Sequence, residues 1–84
     1  MLADNRLGGR LAFMGLELSL NGQKRIFDGL ESGCGLDRLV DALGLKSDRV
    51  AIELNGEIVT RKAWSQTTLN AGDRLELVHF VGGG

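Results

Sequence analysis

Two Asn-Gly pairs constrain this chain more than any other feature. Each closes a run in which apolar and polar residues alternate. "LELSL" (Leu16 to Leu20) puts Leu16, Leu18 and Leu20 on one side and Glu17 and Ser19 on the other, and Asn21-Gly22 follows directly. "VAIEL" (Val50 to Leu54) repeats the pattern with Val50, Ile52 and Leu54, and Asn55-Gly56 follows. Strict alternation is the mark of a half-buried strand. Asn-Gly readily takes the positive φ values of a two-residue hairpin turn. The chain is therefore expected to fold around two hairpins, with "QKRIF" (carrying Ile26 and Phe27) and "EIVTR" as the return strands.

One helix lies between them. Leu36, Leu39, Val40 and Leu43 fall at i, i+3, i+4 and i+7, with Asp37, Arg38 and Asp41 in the gaps. This predicts an amphipathic helix of about three turns. Asp37 suits the first turn, Gly44 the C′ position, and Leu45 the hydrophobic contact beyond it. The segment "FDGLESGCG" before the helix reads as a Gly-rich loop, and "KAWSQTTLNAGD" as an irregular stretch closing on a Gly72-Asp73 turn. "RLELVHFV" is the last strand, with Leu75 and Leu77 on one face and Glu76, Val78 and Phe80 on the other. The expected order is β-β-α-β-β-β. One helix covers one face of such a sheet, so the other face stays polar or meets a partner. Val78 and Phe80 make an apolar patch there.

Residues 1–13 show no period and precede a second Met, Met14, so they are read as a flexible N-terminal extension to a domain of residues 14–81. A chain of 84 residues makes one small domain, which buries about 60–65% of its unfolded surface. Ten basic and eleven acidic residues give a net charge of −1 with no basic stripe, which argues against nucleic acid. No apolar run approaches the roughly 20 residues needed to span a bilayer, so no membrane role is expected. The single cysteine, Cys34, cannot form an internal disulfide, and a cytoplasmic protein is the expectation.

Little in the chain suggests catalysis. His79 is the only histidine and Cys34 the only cysteine, whereas a triad or metal centre needs several convergent groups. Trp64, the only Trp, reads as a core or edge filler. The expectation is a protein that is not an enzyme, with no metal and no cofactor bound by the chain.

The C-terminus differs. Gly82, Gly83 and Gly84 end the sequence directly after the last strand. Glycine has no Cβ, so such a segment (82–84) can extend through a channel that any side chain would block. A terminal α-carboxylate on Gly84 is exposed and charged. The same composition also describes a frayed end.

Four stretches shift the balance between these readings. "LNG" (Leu20 to Gly22), "LNGEIVTR" (Leu54 to Arg61), "GDRLELV" (Gly72 to Val78) and the terminal "VGGG" resemble the thiamine-biosynthesis sulfur carrier family, ThiS, over residues 16 to 84. The sequence departs from the family in its extra residues 1–13, its longer loop before the helix, and Thr60, where the family often has Pro. The resemblance implies an α+β, ubiquitin-like β-grasp fold, with a mixed sheet of about five strands and one main helix on one face. It also implies that Gly84 is the site of sulfur attachment as a thiocarboxylate. Gly82 and Gly83 would thread into a partner, with Val78, Phe80 and Val81 as docking residues. The implied partners are a ThiF-like adenylating enzyme that holds ATP and Mg²⁺, a persulfide sulfur donor, and a thiazole synthase (ThiG-like). A carrier of another pathway, such as the small subunit of molybdopterin synthase or a cysteine-biosynthesis carrier, shares fold and tail. A third reading is a non-catalytic β-grasp interaction domain whose Gly tail does nothing. The reading of residues 1–13 is testable: a chain starting at Met14 is expected to keep the full-length unfolding midpoint, and a large drop would show that the extension packs on the domain.

Overall fold

A computed structural model describes residues 15–80. Strands β1 (Leu16–Leu20) and β2 (Gln23–Phe27) form the first hairpin, and β3 (Val50–Leu54) and β4 (Glu57–Val59) the second. Helix α1 (Leu36–Ala42) lies between the hairpins in sequence, and β5 (Arg74–His79) comes last. The five strands make one sheet in the order β2-β1-β5-β3-β4. The pairing of β1 with β5 is parallel and every other pairing is antiparallel. This is the mixed five-stranded, one-helix arrangement expected.

Both turns form as their residues dictate. Asn21 and Gly22 have φ of 51° and 83°, and Asn55 and Gly56 have 52° and 90°. Two successive positive values define the type I′ turn, whose twist matches that of the flanking strands. The turns fix the register, pairing Leu20 with Gln23 and Leu54 with Glu57. Register then sends Leu16, Leu18 and Leu20 inward, all buried. A slip of one residue would turn all three outward.

Helix α1 is shorter than its periodicity suggests, at seven residues, or two turns rather than three. Its end is set by Gly44, at φ 72°. The Gly44 N–H donates to the Asp41 carbonyl and the Leu45 N–H to the Val40 carbonyl, the paired bonds of a Schellman cap. Leu43 therefore caps the helix instead of continuing it, yet its side chain still packs on the core. Leu36, Leu39 and Val40 are buried, as the apolar stripe requires.

The segment read as irregular before β5 is partly ordered. Arg61–Gln66 form a 3₁₀ helix. Trp64 in its middle is 3% exposed and donates its indole N–H to the Val59 carbonyl at 3.0 Å, so it is a core residue. The loop before α1 is tied to the segment before β5. Gly33 N–H donates to Leu69 O, Leu69 N–H to Cys34 O, and Leu36 N–H to Thr67 O. Leu30 and Leu69 anchor the two segments in the core. The segments 1–13 and 82–84, read from the sequence as an N-terminal extension and a C-terminal tail, lie outside the described residues.

The cap can be separated from packing. A Cβ at Gly44 or at Gly29 would meet nothing within 4 Å, and only Gly44 has left-handed backbone. Gly44→Ala is expected to lose about 1–2 kcal/mol from left-handed strain. Gly29→Ala is expected to be neutral or to gain about 0.4–1 kcal/mol by restricting the unfolded chain. Urea unfolding of the two variants side by side checks both signs.

Candidate functional site

Strand β5 is central to the sheet and leads directly toward the glycines. Its inward residue Leu75 is 1% exposed, and Leu77 packs against the core. Its outward residue Val78 and Phe80, just beyond its end, are 55% and 54% exposed. The alternation anticipated from the sequence thus places both predicted docking residues on the uncovered side. Val81 and Gly82, Gly83 and Gly84, the other predicted site residues, lie outside the described residues. Covalent geometry alone limits the reach: four residues span at most about 14 Å, so Gly84 stays within that distance of Phe80.

The strand is held from both sides. On one side β3 pairs with it from Val50↔His79 to Leu54↔Leu75, and the Phe80 N–H donates to the Arg49 carbonyl. On the other side β1 pairs with it only at Ser19↔Arg74 and Leu20↔Leu75. Asn21 then extends that edge. Its N–H donates to Leu75 O, its side-chain oxygen accepts from Leu77 N–H at 2.7 Å, and its Nδ2 donates to Leu77 O at 3.2 Å. The side-chain amide thus stands in for the next rung of a ladder. Asn55 acts from the other hairpin: its N–H donates to Arg74 O and its side-chain oxygen accepts from Arg74 N–H at 2.9 Å. Read as turns without chemistry, the two asparagines also position β5. That role was invisible locally because it needs partners 56 and 19 residues away.

The open face extends the patch beyond Val78 and Phe80. Ile58 on β4 is 76% exposed. With Ala51, Glu53, Glu76 and Val78 it lines a shallow groove of about 130 Å³. Ala51 pairs with Val78, and Glu53 sits between Ile58 and Glu76. The sequence reading did not single out Ala51, Glu53 or Ile58, though alternation about Ile52 places the first two outward. The groove is far below the ~300–1,000 Å³ of a small-molecule pocket. Among the described residues no group of three or more His, Cys, Asp or Glu could hold a metal ion. Cys34 is a free, half-buried thiol in the loop before α1. No helix among the described residues is long and apolar enough to cross a membrane.

Comparison with known proteins agrees with this geometry. Residues 18–84 match the model of the ThiS family. The chain belongs to the ThiS family. The crystal structure of the thiamine biosynthesis protein ThiS from Geobacter metallireducens is 38% identical, with a TM-score of 0.69 over 82% of this chain and 100% of that one. The solution structure of a thiamine biosynthesis protein from the same organism gives a TM-score of 0.70 at 38% identity, covering 82% of this chain and 88% of that one. The β-grasp fold implied by the resemblance is therefore the fold observed. The chain is also similar to the thiazole synthase of Paramagnetospirillum magneticum, at 39% identity over 69 residues. That match covers 82% of this chain and 20% of the relative. The thiazole synthase of Magnetococcus marinus is 35% identical over the same shares. The chain thus spans about one fifth of the length of these two curated relatives.

Two substitutions separate the roles of the site's residues. Asn21→Ala leaves the Leu77 backbone unpartnered and is expected to lower stability by about 1–2 kcal/mol. Phe80→Ala, at a half-exposed position, is expected to cost about 1 kcal/mol or less. A buried Phe would cost about 3–5 kcal/mol. Denaturant titration of each variant gives both values.

Proposed function

We propose that this chain is a sulfur carrier of thiazole formation in thiamine biosynthesis, with the Gly84 α-carboxylate as its reacting group. The observation that carries this reading is the ThiS match running through Gly82–Gly84, on a scaffold whose central strand ends just before them. The chain acts as a co-substrate of other enzymes rather than as a catalyst, and the work is cytoplasmic, where ATP and thiols are available.

The chemistry follows from the carboxylate. An oxygen of Gly84 attacks the α-phosphate of ATP, which is held with Mg²⁺ by a ThiF-like adenylating enzyme, and pyrophosphate leaves. A carboxylate resists substitution, and the acyl-adenylate removes that barrier by supplying AMP as a leaving group. The terminal sulfur of a persulfide attacks the acyl carbon, expelling AMP and forming an acyl disulfide. A thiol then cleaves its S–S bond, becoming a disulfide itself, and Gly84 is left as a thiocarboxylate. A thiazole synthase takes this sulfur. The likeness to two thiazole synthases supports that partner, since a stretch similar to this chain forms about one fifth of each.

The chain's own residues supply access and grip. Glycines at 82–84 let bare backbone enter a channel too narrow for side chains. Phe80 and Val78, within reach of the reacting carboxylate, provide an apolar anchor of the kind that dominates interfaces.

The test is intact mass after incubation with a ThiF-like enzyme, ATP, Mg²⁺, a persulfide and a thiol. The wild-type chain is expected to gain the mass of one oxygen-for-sulfur exchange. Chains lacking Gly84, or extended by one residue beyond it, are expected to load at least about 100-fold more slowly with unchanged unfolding midpoints, because a misplacement of about 1 Å costs that much. Phe80→Ala is expected to weaken enzyme binding by about 2 kcal/mol or more. Loading of the extended chain at the wild-type rate, with no protease present, would overturn the assignment of Gly84.

A further inference from the structure

We propose that the groove on the open face accepts one basic side chain of the adenylating enzyme, with its head group between Glu53 and Glu76 and its stem along Ile58 and Val78. The inference rests on the carrier reading above and adds the chemistry of the contact. Register places Glu53 directly opposite Glu76 across the antiparallel β3–β5 pair. Like charges in that position destabilise a sheet. The same face shows how this chain neutralises an acid internally. Glu17 on β1 meets Lys24 of β2 at 3.4 Å. Neither Glu53 nor Glu76 has such a partner among the described residues, and Arg74, two positions along β5 from Glu76, bridges to neither.

The groove's walls narrow the identity of the missing cation. A metal ion would seek a third oxygen, nitrogen or sulfur ligand, and no cluster of three is present among the described residues. Ala51, Ile58 and Val78 instead offer apolar surface beside the two carboxylates. That combination matches a lysine or arginine, whose methylene stem covers apolar surface while its head reaches charge. Arginine fits better, because its planar fork can donate to both carboxylates. The groove is continuous with the Val78–Phe80 anchor, since Val78 belongs to both. One enzyme surface can therefore engage both while the tail extends past them.

Three single variants decide. Glu53→Gln and Glu76→Gln each keep shape and remove one charge, and Glu31→Gln removes one exposed charge from the loop before α1. Affinity for a ThiF-like enzyme that loads the wild-type chain is measured by calorimetry at several salt concentrations. Each groove variant is expected to bind about tenfold more weakly, with a shallower salt dependence, and to unfold at the wild-type midpoint or above it. Glu31→Gln is expected to bind like wild type. Groove variants that bind like wild type, or that lose affinity only as much as Glu31→Gln, overturn the inference while leaving the carrier reading intact. A fall in midpoint alongside the loss of affinity overturns it too, since the pair would then be supporting the fold. Sedimentation showing a dimer of the free chain that Ile58→Asp breaks would give the face to a second copy instead. A wild-type chain that no such enzyme binds or loads removes the carrier reading and this inference with it.

Discussion

The parallel junction between β1 and β5 holds this molecule together. Each hairpin is local and needs only its Asn-Gly turn. The sheet as a whole exists because β5, last in sequence, inserts between them and bonds to both. On the β3 side it has five paired residues, and on the β1 side two. The shorter seam is where the side chain of Asn21 takes over the work of backbone, bonding both polar groups of Leu77. The turn that sets one hairpin's register thus also fixes the strand from which the tail departs. Loss of that seam would separate the β1–β2 hairpin from the rest of the sheet and expose Leu18, Leu20 and Leu75 together.

The second consequence of this topology is an asymmetry of faces. Helix α1 and the 3₁₀ helix around Trp64 both supply buried residues to a core that also takes in the inward leucines of β1. With only these elements available, the opposite face has no cover from the described residues. Residues on β5 therefore serve two purposes by alternation alone. Leu75 is bound into the core, and Val78 and Phe80 are exposed. A substitution at Leu75 is expected to act through folding, whereas one at Phe80 is expected to cost the fold little.

Local signals made much of this legible, and the limit of legibility was sequence separation. Both hairpins, the cap at Gly44 and the outward facing of Val78 and Phe80 rest on contacts within a few residues, so alternation and turn chemistry exposed them. The length of α1 did not follow from periodicity, because Leu43 keeps the apolar phase even after the backbone leaves the helix. The 3₁₀ helix at Arg61–Gln66 gave no periodic signal, and Trp64 is drawn inward by burial and by Val59. The placement of β5 between the hairpins is long-range, and so is the Glu53–Glu76 pairing. Both acids were visible as outward residues of their strands; only the register makes them neighbours. The tail was legible in another way, by resemblance and by composition.

Under the carrier function proposed above, the open face matters because glycine offers an enzyme so little. Fixing one residue's backbone costs about 1–2 kcal/mol, so holding three glycines in an extended channel costs roughly 3–6 kcal/mol. The segment has no side chains to bury in return, and its few backbone hydrogen bonds contribute about 1 kcal/mol each. Productive threading therefore needs a grip outside the channel, close enough that the carboxylate is delivered rather than merely tethered. Strand β5 meets that need because it is clamped on both edges and presents Val78, with Phe80 just beyond its end, on the side away from the core. A grip made only of apolar area would also be poorly selective, since any exposed apolar surface could meet it. In the proposed contact, two opposed carboxylates set among apolar side chains would restrict the fit to a surface carrying a cation at one position. They disfavour self-association through the same face, where acid would meet acid. Their mutual repulsion is thus a small cost to the free domain and a means of discrimination when it binds.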